Sequence, residues 1–248
     1  MTAKICLEAL DEFADAGLCA DMWLRDDDAT EPTGPLEHLV MLTGEHGVPV
    51  TLAVVPATTG LPLTRFLDAY PHADVAVHGW AHQNYANDGE KKRELGLHRP
   101  LAEVLSELQS GYDRLSGLHS KRFVPMLVPP WNRIDDEIIS QLTGIGYRAL
   151  SVFGPEKPAP ITVINTHIDL IDWRGTRGGR DHDTLFTEIA ARMRVAVQTG
   201  GITGILAHHL DHDKAVWDFL ETLFDLTRTH PGCRWRSATE LVASRSSP

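Results

Sequence analysis

Two histidines four residues apart, His78 and His82, follow directly on the apolar run Val75-Ala76-Val77. Imidazole is the commonest protein ligand for zinc and its neighbours, so two rings at the mouth of a strand can converge on one cation. A catalytic zinc takes three protein ligands and leaves a position for water. The third ligand should be a carboxylate, and Asp26-Asp27-Asp28 stand at the end of another apolar run, Met22 to Arg25. Adjacent residues on an extended chain point opposite ways. One of the pair Asp27 and Asp28 can therefore bind metal while the other reaches the water.

Two further clusters could complete an acyl-transfer site. Asp172-Trp173 and His208 supply a carboxylate, an indole and a second imidazole. A buried Asp172 would orient His208 and raise its pKa, which suits a general acid. Trp173 would wall a small apolar pocket. The segment His208-His209-Leu210-Asp211-His212-Asp213 is dense in ligand types, enough for a second metal to be conceivable. The simpler expectation places His208 in the site and the rest in a turn before the next helix.

The bulk composition narrows the class. The chain has 248 residues, 42% of them hydrophobic, and a net charge of −11. An acidic chain of this kind is unsuited to general nucleic-acid or anionic-membrane binding. Three scattered cysteines, Cys6, Cys19 and Cys233, suggest a reducing compartment and no disulfide framework. Glu8, Asp11, Glu12 and Asp15 interrupt any apolar leader, and no window nears the ~20 apolar residues of a membrane span. The expectation is a cytoplasmic protein with no membrane span.

The elements that must position these residues alternate. Helical spacing runs over 5–18, 36–45, 63–70, 101–118, 134–142, 184–197 and 215–229, with Asp183 or Thr184 near the cap of the sixth. Strands are expected at 22–25, 50–55, 73–77, 123–128, 147–153, 161–164, 167–171 and 203–207. Residues 83–100 and 174–182 form loops, which at such lengths are often binding lids. The alternation predicts an α/β fold, barrel or open parallel sheet, occupying 1–248 as a single domain. In either architecture active sites lie at the carboxyl ends of strands, where these acids, histidines and tryptophans fall.

Taken in order, the motifs resemble the polysaccharide deacetylases, the NodB-homology family that forms the fourth family of carbohydrate esterases. Leu24 to Asp28 resembles its first motif, His78-Gly79-Trp80-Ala81-His82 its second, Pro130-Trp131-Asn132 its third, Asp169-Leu170-Ile171-Asp172-Trp173 its fourth and Leu206-Ala207-His208 its fifth. The resemblance implies a distorted (β/α) barrel with about seven parallel strands. It makes Asp27 the general base, Asp28, His78 and His82 the ligands of one divalent metal, and His208 the general acid beside Asp172. Zinc is the first expectation for the metal, with Co, Mn or Ni as alternatives. Pro130, Trp131, Asn132 and Trp173 become substrate-binding residues.

Two positions depart from the family pattern. Val128 stands where the third motif carries an Arg that pairs with the catalytic Asp, leaving Arg25 or Arg133 as substitutes. Gly79 replaces a small hydroxyl residue, and with it a hydrogen bond behind the ligands. The sequence therefore suggests a divergent branch. The activity implied is metal-dependent hydrolysis of an N-acyl group, N-acetyl first, on an amino sugar or related small molecule. Another small amide, such as a formamide or ureide, is the alternative substrate, and a non-catalytic carbohydrate binder the alternative class. Lys91, Lys92 and Arg93 could meet a phosphate or carboxylate on the ligand, or form a solvated charge run.

Overall fold

The computed structural model describes residues 3–245. They group into two compact units, each built from several separate stretches of chain. One takes residues up to 26, 33–50 and 166–237; the other takes 27–32, 51–165 and 238 onward.

In the first unit, strand β1 (Ala20–Ala29), of which residues up to 26 belong here, pairs in parallel with β8 (Thr203–Ala207). Strand β8 pairs in turn with β7 (Ile168–Asp169), and β1 also pairs with β9 (Cys233–Trp235). Both faces of β1 are covered, as in parallel sheets generally. Trp23 and Leu24 point opposite ways, yet each is at most 1% exposed. Helix α1 (Ala3–Asp15) turns Cys6, Ala9, Leu10 and Phe13 inward and packs on α6 (His182–Thr199). Helix α2 (Gly34–Glu45) opens on Thr33, whose hydroxyl accepts from Leu36 N–H. Helix α7 (Lys214–Thr227) opens in the same way on Asp213. The cap of α6 is Asp181, just ahead of Asp183 and Thr184, the two residues expected near it. Its carboxylate accepts from Thr184 N–H, which puts Asp183 in the first turn.

In the second unit the strand order is β6 (Thr162–Val163), β5 (Ala149–Leu150), β4 (Phe123–Val128), β3 (Ala73–His78), β2 (Val50–Val54). Helices α3 (Leu61–Leu67), α4 (Leu101–Leu118), α5 (Asp136–Ile139) and α8 (Ala238–Arg245) belong to this unit. The register between β3 and β4 slips: Val75 pairs with Phe123, but Val77 pairs with Leu127. Pro125 lies inside the slip, where its missing N–H removes a ladder bond. The shift sets Val128 opposite His78.

Several expected elements change extent. The 147–153 strand shortens to two residues, and the helix at 134–142 is one α-helical turn followed by a 3₁₀ turn at Leu142–Ile145. Strand β1 is longer than expected: the aspartates sit inside it, not beyond its end. Strand β9 and helix α8 were not expected. Among the described residues no helix is long and apolar enough to cross a membrane.

Candidate functional site

In the second unit Asp28, His78 and His82 converge. Asp28 Oδ1 lies 3.0 Å from His78 Nε2 and 3.2 Å from His82 Nε2, and one ligand atom from each residue falls within 4.8 Å of the others. The β3–β4 slip explains part of this. It brings the Val128 carbonyl 2.9 Å from His78 Nδ1, where only a ring N–H can donate to it. In the neutral ring this puts the proton on Nδ1 and leaves the Nε2 lone pair on the Asp28 side, as a metal ligand requires. His78 is 1% exposed. Burial first, and then the His78 charge, hold the His82 pKa below its usual value, while Asp28 and Asp27 act the other way. A neutral His82 is the form that ligates. The donor set, one carboxylate and two neutral imidazoles without a thiolate, fits a divalent cation of the zinc type.

The backbone here is strained. Asp28, His82, Trp131 and Asn132 all have positive φ, between 54° and 74°, and are four of the five such non-glycine residues described. Each costs on the order of 1–3 kcal/mol, so a packed surrounding must hold them. At Asp28 the left-handed turn breaks the alternation of β1. Asp27 is left 2% exposed, whereas the Asp28 side chain is 35% exposed and reaches the histidines. Trp131 lays its ring on His82, centroids 4.4 Å apart, and Lys92 Nζ stands 5.9 Å over the indole.

Glu94 was missed from the sequence, where it sits in a polar loop. It is fully buried, and its two oxygens accept from Trp80 N (3.1 Å), Ala81 N (2.8 Å) and Gln83 N (3.4 Å). These amides belong to the turn that carries both histidines. Burial raises the Glu94 pKa, and the three hydrogen bonds pull the other way. Gly79 is tied to this arrangement. Its φ is +56°, and a Cβ there would overlap Glu94 Oε2 and Pro130 Cδ. Where the family pattern has a hydroxyl side chain, this chain has a carboxylate arriving from residue 94. The Val128 position, which lacks the expected Arg, holds a fully buried apolar side chain. Arg133 Nη1 donates to Lys92 O at 2.7 Å, and Arg25 is fully buried in the first unit.

In the first unit His208 and Trp173 meet edge to face, centroids 4.8 Å apart, with His208 Nδ1 buried and unbonded. The expectation for Asp172 is corrected here. Its carboxylate accepts from Gly175 N (3.0 Å) and Thr176 N (3.3 Å), closing the 172–178 turn, and does not bond His208. A turn of glycines and charges offers exposed amides, and an Asp at its start takes them. The carboxylate that reaches this aromatic pair is Asp169, which accepts from Trp173 Nε1 at 2.8 Å. Asp26, given no role from the sequence, accepts from His209 N at 2.8 Å and lies 2.5 Å from His209 Nδ1. Both residues are at most 1% exposed. The pair fastens the residue after His208 to β1. The one sequence signal was phase: Asp26 follows the buried Ala20, Met22 and Leu24 at period two, so its carboxylate had to find a buried partner. His212 has no bonded ring nitrogen, and burial pushes its pKa down to about 4.

No family model matches the chain, and no curated protein does. Solved structures do. A protein from Mycobacterium smegmatis assigned to the polysaccharide deacetylases superposes with a TM-score of 0.70 over 92% of each chain, at 12% identity. A family 4 acetyl xylan esterase from Clostridium thermocellum, solved with a cobalt ion, gives 0.54 over 92% of this chain and 93% of its own, at 14% identity. A mutant of a pseudoenzyme from the same esterase family, with restored activity, gives 0.60 over 90% of this chain and 68% of its own, at 16% identity. At these identities the likeness is one of fold. The fold is the distorted (β/α) barrel of the NodB type that the motifs imply.

Proposed function

We propose that the chain is a metal-dependent hydrolase that removes an N-acyl group, N-acetyl first, from an amino sugar or related small molecule. The observation that carries this is the convergence of Asp28, His78 and His82, with the His78 tautomer preset by Val128 O. A divalent cation held by these three would supply a Lewis acid that polarises the amide carbonyl and acidifies water. Asp27, buried at the next position of β1, is the base that takes the proton from the attacking water. His208 is the acid that gives a proton to the departing amine, and Trp173 packs against its ring. Trp131, braced on His82, offers an indole face to the acyl group or sugar.

The test combines metal and turnover. Wild-type protein loaded with zinc or cobalt should release acetate from a small N-acetylated sugar, and chelation should abolish release. His78→Ala and His82→Ala should each lose the metal in elemental analysis. Asp27→Asn and His208→Ala should keep it and lose about 10²–10⁴-fold in rate. Full metal content in both histidine variants would refute the assignment.

A second reading has two observations in its favour. Val128 replaces the Arg that pairs with the base in the family pattern, and one structural neighbour is a pseudoenzyme whose activity a mutation restored. In that reading the chain binds a saccharide without hydrolysing it. Sugar binding by the metal-loaded protein with no acetate release would favour it.

A further inference from the structure

The second unit holds a cavity of about 800 Å³ that the proposed chemistry leaves unused. Its lining connects to the histidines through chain neighbours: Asn132 follows Trp131, whose ring packs on His82, and Arg93 precedes Glu94, which bonds the amides of the histidine turn. Leu150, Val163 and Ile139 contribute apolar surface to its lining, and Phe153 stands 44% exposed. One wall is built rather than incidental. Asn165, 1% exposed, accepts from Val152 N at 2.9 Å and donates to Gly154 O at 2.9 Å and Pro155 O at 3.3 Å. Those bonds hold the 152–160 loop, stiffened by Pro155, Pro158 and Pro160. A volume of this size suits a small ligand, which typically occupies about 300–1,000 Å³.

The lining carries an excess of cations in a chain whose net charge is −11. Arg93, Arg133 and Lys157 line the cavity against one acid, Asp136. Arg93 is ion-paired with Asp135, 3.0 Å away. Arg133 bonds a neutral carbonyl, and Lys157 has no carboxylate partner among the described residues. Apolar side chains lining one cavity with Arg133 and Lys157 select a ligand with an apolar body and an anionic end.

We propose that this cavity binds the part of the substrate beyond the hydrolysed amide, and that this part carries an apolar body ending in a phosphate or carboxylate. The word substrate rests on the hydrolase reading; the binding of an apolar anion does not. The test therefore uses metal-free wild-type protein and no turnover. Phenyl phosphate, phenylacetate and benzyl alcohol are titrated by calorimetry at low and high salt. Either anion should bind at least about tenfold tighter than the alcohol, with affinity falling as salt rises. The tighter of the two anions identifies the group. Lys157→Glu and Arg133→Glu should each weaken the anions about tenfold and leave the alcohol unchanged. Lys157 is exposed and Arg133 is half-buried, and circular dichroism checks that each variant folds. Equal binding of alcohol and anions, or no effect of either charge reversal, would overturn the proposal. A protein that binds the anions yet never releases acetate would refute the hydrolase reading alone.

Discussion

Gly79 and Glu94 form one device. A carboxylate fills the volume that a side chain at residue 79 would take, and three amides of the histidine-bearing turn close on it. Two substitutions probe it from opposite sides. Glu94→Ala leaves three turn amides without their acceptor, and partners behind metal ligands typically carry ~10–100-fold in affinity. Zinc affinity, measured by competition with a chelating dye, should fall by about that much. Gly79→Ala should do likewise, because its Cβ meets the carboxylate and its φ of +56° strains any L-residue. Wild-type affinity in Glu94→Ala would mean that strand packing alone sets the ligands. The sequence exposed one half of this device. A glycine in a hydroxyl position signals a missing hydrogen bond, but nothing in 83–100 marks Glu94 as the group that replaces it. Which loop residue folds back is decided by tertiary contacts: the Leu95–Ile134 bridge and the Arg93–Asp135 ion pair fix the path of the chain there.

At the scale of elements, the ends of β1 and β8 matter most. Asp26 lies opposite Ala207 in the parallel register, and through His209 it ties the start of the loop that carries His208. Asp26→Ala would leave a buried backbone amide and a buried imidazole without their acceptor, each costing about 1–3 kcal/mol. Urea unfolding should show that loss, and His208-dependent activity should fall with it even where the fold persists. Unchanged stability would mean that water or a neighbour takes over both bonds. Long, strongly periodic elements such as α4 were legible from sequence to the residue. The two-residue strands β5, β6 and β7 were not, because so short a ladder is set by its neighbours and not by local propensity. The 83–100 segment is a loop, as its composition indicates. It is tied down by Asn84 Oδ1, which accepts from Ala86 N and Arg93 N, and by Arg99 stacked 3.7 Å over Tyr85. Composition alone suggests a freer lid. The positive φ angles at Asp28, His82, Trp131 and Asn132 were equally invisible: Asp, His and Asn enter the left-handed region more often than other side chains, but most of them in any chain do not, and Trp131 gives no such signal.

For the molecule as a whole, five weak motifs in order were enough to name the fold, although at 12–17% identity no one of them is strong. Order along the chain carries information that each spacing lacks, because the barrel lays successive strand ends beside one another. The same packing has a cost that acid should expose. His119, between α4 and β4, is 2% exposed, and neither ring nitrogen has a partner. Burial first, and the Arg122 charge second, push its pKa from the usual 6.5 down to about 4. Above pH 6.5 neither the folded nor the unfolded chain protonates this ring. Between 6.5 and about 4 the unfolded chain takes up a proton that the folded chain refuses, so stability falls as the pH falls. Below about 4 both states are protonated and the loss is complete. A shift of this size corresponds to at most about 3 kcal/mol. Equilibrium unfolding in urea at pH 7, 5.5 and 4.5 should therefore show declining stability. His119→Leu, which keeps the site apolar and cannot titrate, should decline less over that window. His212, also held near 4, keeps its own share of the slope in the variant. Identical pH dependence in wild type and His119→Leu would mean that the ring is hydrated in solution and titrates as it does in the unfolded chain.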